Sequence, residues 1–284
     1  MNAETSLLGT VVNSHRFNPL KAVVYGLPGI GKTSFAATFE SPILLRTEDG
    51  ASALSIPTFP KVCASFADVR DAMNALLKER HDYRTLIIDS LDWLEPLMWE
   101  TVCLTNGKAS IEDFGYGKGY VILDDLWRKF QFGLDMLRQK RGMHVICIGH
   151  ADARQIDPPD SDPYQSYSLK LHKRASALWV EWAEMVLFLA YKVRVTAGKD
   201  GLGKNKAHGS GDRVIYTTER PAYKAKTRWP LPDEIYIGKD VAYADFHREL
   251  STATDNAYVY QPQSYDKAGN TPEENPEQPG QEAA

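Results

Sequence analysis

Cysteine is scarce in this chain. Only Cys63, Cys103 and Cys147 occur in 284 residues, each in apolar surroundings and none in C-x-x-C spacing. A disulfide framework and a thiolate metal site therefore find no support. Buried reduced thiols, and with them a reducing cytoplasm, are the expectation. Long apolar runs are missing too: nothing approaches the roughly 18 residues of a membrane span, so no membrane partner is expected. The first eighteen residues show no basic segment followed by an apolar one, and no secretion signal is expected there. There is no internal repeat.

Charge of one sign is also lacking, since the formal net charge is only −4. That balance hides an asymmetry. From Ser251 onward, six acids face the single base Lys267, a local −5, which leaves the rest near +1. Between Lys192 and Arg228, ten Lys/Arg face three acids, a local +7. A basic segment on a near-neutral body suits a polyanionic partner, although charge runs are also ordinary solvated faces. The polar, Pro/Gln/Glu-rich composition after about Thr252 cannot bury a core. Three parts are thus expected: a loose arm over 1–19, a core over 20–250 and a disordered acidic tail over 251–284.

What is present is a phosphate-cradling signature. Gly26-Leu27-Pro28-Gly29-Ile30-Gly31-Lys32-Thr33 reads G-x-x-x-x-G-K-T. The apolar run Ala22–Tyr25 precedes it and the breaker-free Ser34–Phe39 follows, which is the strand–loop–helix context that the motif requires. Its glycines let successive backbone N–H groups turn inward around phosphate oxygens. Gly26, Pro28, Gly29, Ile30, Gly31, Lys32, Thr33 and Ser34 are the expected nucleotide contacts. Lys32 would reach the β- and γ-phosphates, and the Thr33 hydroxyl would ligate Mg²⁺.

Further apolar runs read as strands: Pro42–Thr47, Thr85–Ser90, His144–His150, Met185–Val195 and Arg213–Glu219, with Phe59–Cys63 as a shorter one. Apolar residues at helical spacing mark Ala67–Arg80, Leu91–Leu104, Tyr120–Arg141 (stopped by Gly142) and Leu171–Glu184. Ala151–Tyr167 is polar and Pro-bearing and reads as a long loop. Thr196–Asp212 reads as a flexible loop or extended hairpin, while Tyr223–Arg228 and Glu234–Gly238 read as edge strands. Alternating strands and helices argue an α/β fold with a mostly parallel central sheet flanked by helices and an antiparallel edge extension.

Ligands of such sheets bind beyond the carboxyl ends of the strands, where Gly26, Glu48, Asp89 and His150 all fall. Asp89 would hold Mg²⁺ opposite Thr33, or else cap the helix from Leu91. Glu48 is the candidate base for an attacking water, with Asp49 its rival. His150 would contact the γ-phosphate or serve as a satisfied strand-end residue. Lys199, Lys204 and Lys206 lie in a Gly-rich stretch suited to phosphate contacts without base reading. Tyr164 and Tyr167 could stack on bases or pack on the core.

The set GLPGIGKT (26–33), LLRTEDG (44–50), LIIDS (86–90), FGYGKGY (114–120), VICIGH (145–150) and ERPAYKAKTRWPLP (219–232) resembles the RecA-type core ATPases. It looks most like phage-encoded RecA-like P-loop proteins that act in recombination by single-strand annealing. The resemblance covers Lys21 to Gly238. It implies ATP and Mg²⁺ as ligands, Glu48 as the water-activating acid and His150 as the γ-phosphate sensor. It implies DNA-contacting loops at Arg154–Lys170 and Asn106–Gly119, and it sets Lys226-Thr227-Arg228 as a cation pair entering a neighbouring subunit's site. The implied partners are single-stranded DNA, further copies in a ring or filament, and a phage or host single-strand-binding protein, in the cytoplasm of a bacterial host. A helicase-loader-type switch and a small-molecule kinase are the alternatives.

Overall fold

The structure, a computed structural model, describes residues 11, 17–50, 54–196, 206–238 and 243–258, with backbone only at 194–196 and 206–210. Its centre is a sheet in the order β2-β3-β4-β1-β6-β7-β9. Five strands run parallel: β2 (Pro42–Arg46), β3 (Thr85–Asp89), β4 (His144–Ile156), β1 (Lys21–Gly26) and β6 (Met185–Thr196). β7 (Lys206–Tyr216), β8 (Lys226–Thr227) and β9 (Glu234–Gly238) add antiparallel pairing on the β6 side. The near-continuous apolar strands expected of a doubly covered sheet are buried on both faces.

Alternation along the strands divides the core. Val23, Tyr25, Val145 and Phe188 face a cluster built with α2 (Phe66–Lys78), α3 (Leu91–Thr105), α4 (Lys118–Arg141) and α5 (Lys173–Trp182). Ala22, Val24, Leu187 and Ile215 face the cluster under α1 (Lys32–Ala36) and α6 (Ala244–Ala253). Each fully buried side chain of this size contributes about 1.5–3 kcal/mol. Trp127 on α4 and Trp179 on α5 meet edge to face at 5.4 Å and anchor the first cluster. Gly142 ends α4 in the left-handed region (φ 66°), as its position predicts. Among the described residues, no helix is long and apolar enough to cross a membrane.

Three local expectations need correction. Residues 151–167 are not a loop: β4 continues through Ile156, and β5 (Tyr164–Leu169) returns antiparallel in the register Ala151↔Leu169 to Ile156↔Tyr164. Both strands of this hairpin leave the main sheet, so backbone pairing rather than an apolar face defines them, and the prolines are confined to the turn. The Phe59–Cys63 strand is only an isolated bridge, Leu44↔Thr58, because the chain follows the edge of β2 through single hydrogen bonds. The helix after the phosphate loop ends at Ala36, where Phe35 and Thr33 carbonyls are already accepting the closing N–H bonds.

The segment after residue 243 packs more than its polarity suggests. α6 runs across Ser251, and Tyr258 beyond it is buried. His247 links the Thr38 hydroxyl (2.7 Å) and the Tyr258 hydroxyl (2.7 Å). At the other terminus, Phe17 packs against Trp229 and Tyr258. Most of the expected arm and tail lies outside the described residues.

Candidate active site

β1 delivers the chain to the sheet rim at Gly26, and the loop then turns back into α1. A Cβ at Gly26 would stand 2.3 Å from the Leu189 carbonyl oxygen, so the β1–β6 contact admits only glycine. Gly31 adopts φ +101°, and a Cβ there would meet the Tyr243 hydroxyl at 2.6 Å. That hydroxyl donates to the Gly31 carbonyl at 2.9 Å, which ties the start of α6 to the loop.

Lys32 is almost wholly buried and donates to the carbonyls of Gly26 (3.2 Å) and Leu27 (3.1 Å). Burial holds its ammonium below the ordinary lysine value, while Asp89, Asp92 and Glu48 pull the other way. The Thr33 hydroxyl donates to Asp89 Oδ2 at 2.8 Å. Burial pushes the Asp89 carboxyl upward, and the Glu48 charge adds to that; the Thr33 bond, Lys32 and His150 oppose it. The Glu48 carboxylate beside Asp89 and the Thr33 hydroxyl makes a concentration of negative charge that a divalent cation would relieve. One hydroxyl and one or two carboxylates also match magnesium, which keeps most of its shell for water and phosphate.

The register explains how these groups meet. Asp89 pairs with Ile148 in β4, and His150 pairs with Gly26 in β1. Thr47, just past β2, donates its backbone N–H to the Asp89 carbonyl at 2.8 Å. Its hydroxyl donates to the Ser90 carbonyl at 2.7 Å and accepts from the Ser90 N–H at 2.8 Å. This knot sets Glu48 beside Asp89. A cavity of about 370 Å³ results, lined by Glu48, Asp89, His150 and the loop residues Pro28, Gly29 and Gly31–Ser34. Gly26 and Ile30 support it from behind, Ile30 being fully buried. Asp49, the rival acid, turns outward and lies 3.8 Å from Arg46.

Asp92, on the first turn of α3, escapes the sequence reading although it stands three residues after Asp89. Its carboxylate accepts from the His150 N–H at 3.0 Å and lies 2.9 Å from His150 Nδ1. Burial alone would raise the Asp92 carboxyl, but its bonds with His150 outweigh that and hold it below the usual range. With Nδ1 engaged by Asp92, Nε2 is the ring nitrogen left for the cavity. One turn on, buried Glu95 accepts the His172 N–H (2.9 Å) at the foot of the hairpin.

The remaining expected residues lie elsewhere. Arg154 is on β4 of the hairpin, where its guanidinium donates to the Leu171 carbonyl and lies 3.4 Å from Asp152. Lys199 and Lys204 lie outside the described residues, and Lys206 begins β7 with only its backbone described. Tyr167 packs in a stack with Phe188 at 5.4 Å. Lys226 and Arg228 sit at the opposite rim: Lys226 pairs with Val186 near the start of β6, and its Nζ donates to the Glu181 carbonyl at 3.2 Å. The two rims are separated by the length of β1, roughly 15 Å of extended chain.

A glycine loop leading from a parallel strand into a helix, with a buried lysine and a threonine–aspartate pair at its mouth, defines a P-loop nucleotide-binding fold. A family model described as an AAA domain matches residues 18–229, and the chain belongs to that family. No curated protein matches the sequence. Among solved structures, the chain is similar to the RadB recombinase at 14% identity, over 79% of this chain and 90% of that one, with a TM-score of 0.44.

Proposed function

We propose that the protein is a magnesium-dependent ATPase acting on single-stranded DNA in recombination, annealing or replication, with ATP held between copies of the chain. The observation that carries the reading is the convergence of Lys32, Thr33, Asp89, Glu48 and His150 on one cavity at the sheet rim. Lys32 and the loop amides bind the β- and γ-phosphates. Thr33 and Asp89 would hold a magnesium ion, which would neutralise charge on the phosphates. Glu48 orients a water and takes its proton as the water oxygen bonds to the γ-phosphorus and the bond to the bridging oxygen breaks. His150, fixed by Asp92, offers Nε2 to the γ-phosphate oxygens.

Lys226 and Arg228, remote from their own cradle, serve the cradle of a neighbouring copy, as the resemblance to RecA-type proteins implies. Arg228 is exposed and has no side-chain hydrogen bond or ion pair among the described residues, which suits that use. The +7 segment from Lys192 to Arg228 supplies phosphate contacts for DNA. Hydrolysis measured with and without a single-stranded oligonucleotide tests the reading. Stimulation of at least about fivefold is expected, against the salt dependence of phosphate contacts. A rate indifferent to DNA would point to the kinase alternative, and dependence on a protein partner to the loader.

A further inference from the structure

The two sides of β1 carry opposite chemistry at the rim. Glu48, Asp89 and His150 arrive on β2, β3 and β4, all on one side. On the other side, β6 and β7 bring Tyr191 and Arg213, which face each other in register. They share the face of Leu189 and Ile215, two residues away on each strand, and that is the face covered by α1. The Arg213 guanidinium lies 5.8 Å from the centre of the Tyr191 ring, and Nη1 is 3.6 Å from where a Gly31 Cβ would stand. Arg213 Nε is buried with no hydrogen-bond partner. Among the described residues the guanidinium makes no hydrogen bond or ion pair. Tyr191 is 40% exposed.

A bound nucleotide has two ends. Its terminal phosphate must face the carboxylates and the magnesium, so its nucleoside must leave the loop in the other direction, across β1 toward β6 and β7. We infer that Arg213, backed by the Tyr191 ring, is the platform on which the nucleoside of the bound nucleotide rests. The guanidinium plane offers one face to the tyrosine and the other to a base. Stacking of this kind grips the base without reading its edge, so adenine and guanine would be held comparably. The inference rests on the nucleotide reading of the same site and names the residues that hold the half of the ligand the phosphate loop does not reach.

Calorimetric titration of the full chain with ATP, ADP and inorganic tripolyphosphate, each with magnesium, tests it. Arg213→Ala should weaken ATP and ADP alike by about tenfold, and tripolyphosphate by less than about twofold. Arg213→Lys keeps the charge and the strand packing but lacks the planar face, so it should weaken the two nucleotides by nearly as much. Tyr191→Leu should weaken them by about threefold. Unchanged nucleotide affinity in both Arg213 variants would overturn the inference, as would an equal loss for tripolyphosphate. A wild-type chain that binds no nucleotide would instead overturn the proposed function itself, so the two failures are distinguishable.

Discussion

Lys32 and Arg228 are cations at opposite rims of one sheet, and the proposed function gives both to phosphate. Lys32 is buried, and it is held by two carbonyls of its own loop among three nearby carboxylates. Arg228 is exposed beside Lys226, whose ammonium is held below its usual value by burial and by Arg228 itself. The first cation is pre-organised for a ligand in its own chain. The second stands on the wrong rim for that ligand, and repulsion within its pair would be relieved by an incoming anion. Under the proposed function such a division would make catalysis depend on assembly: the cradle would be complete in one copy, and the charge that stabilises transfer would arrive from the next.

The comparison breaks most visibly at Arg228. Arg228→Ala should lower ATP turnover about a hundredfold while leaving ATP affinity within about twofold. Mixed with a Lys32→Ala chain, it should recover part of the activity, because one interface then pairs an intact cradle with an intact arginine. Turnover measured across mixing ratios checks this, and absence of recovery would mean the arginine does not act on a neighbour.

A smaller effect is expected at the cradle's own rim. Asp92→Asn leaves His150 without its carboxylate, and turnover should fall about tenfold with little change in affinity. An unchanged kcat would leave Asp92 a purely structural anchor.

The smallest effect concerns the foot of the hairpin. Burial, outweighing the His172 bond and Arg154, pushes the Glu95 carboxyl up to about 7. The folded state therefore favours the protonated form. The stability this contributes is complete below the ordinary carboxyl range and is lost as pH rises through about 7. Urea unfolding at pH 5 and pH 8 should show the wild type losing up to about 3 kcal/mol relative to Glu95→Gln. A constant difference between the two proteins would show that Glu95 titrates normally.

The parts legible in the sequence are those whose signal is local. The loop glycines, Lys32 and Thr33 form one uninterrupted motif; Asp89 ends a buried apolar strand, and His150 follows the buried apolar stretch of β4. The β4–β5 hairpin was illegible because its strands bury little, so Asp152, Arg154, Gln165 and Ser166 read as loop. α6 carries Phe246 and Leu250 at helical spacing. However, it is short, and its packing against Phe35 at 4.9 Å is a tertiary fact. Thr47, Asp92, Tyr243 and Arg213 gain their meaning from partners on other elements: Ser90 is 43 residues from Thr47 and Gly31 is 212 from Tyr243. No periodicity announces such contacts.

Central to the proposed function is that residues 26–34 would grip a triphosphate whose magnesium Thr33 and Asp89 would hold. Calorimetric titration of magnesium–ATP into the wild type and Lys32→Ala addresses it most directly. Saturable binding by the wild type and at least about a hundredfold weaker binding by the variant are expected. Equal affinities in the two proteins would contradict it.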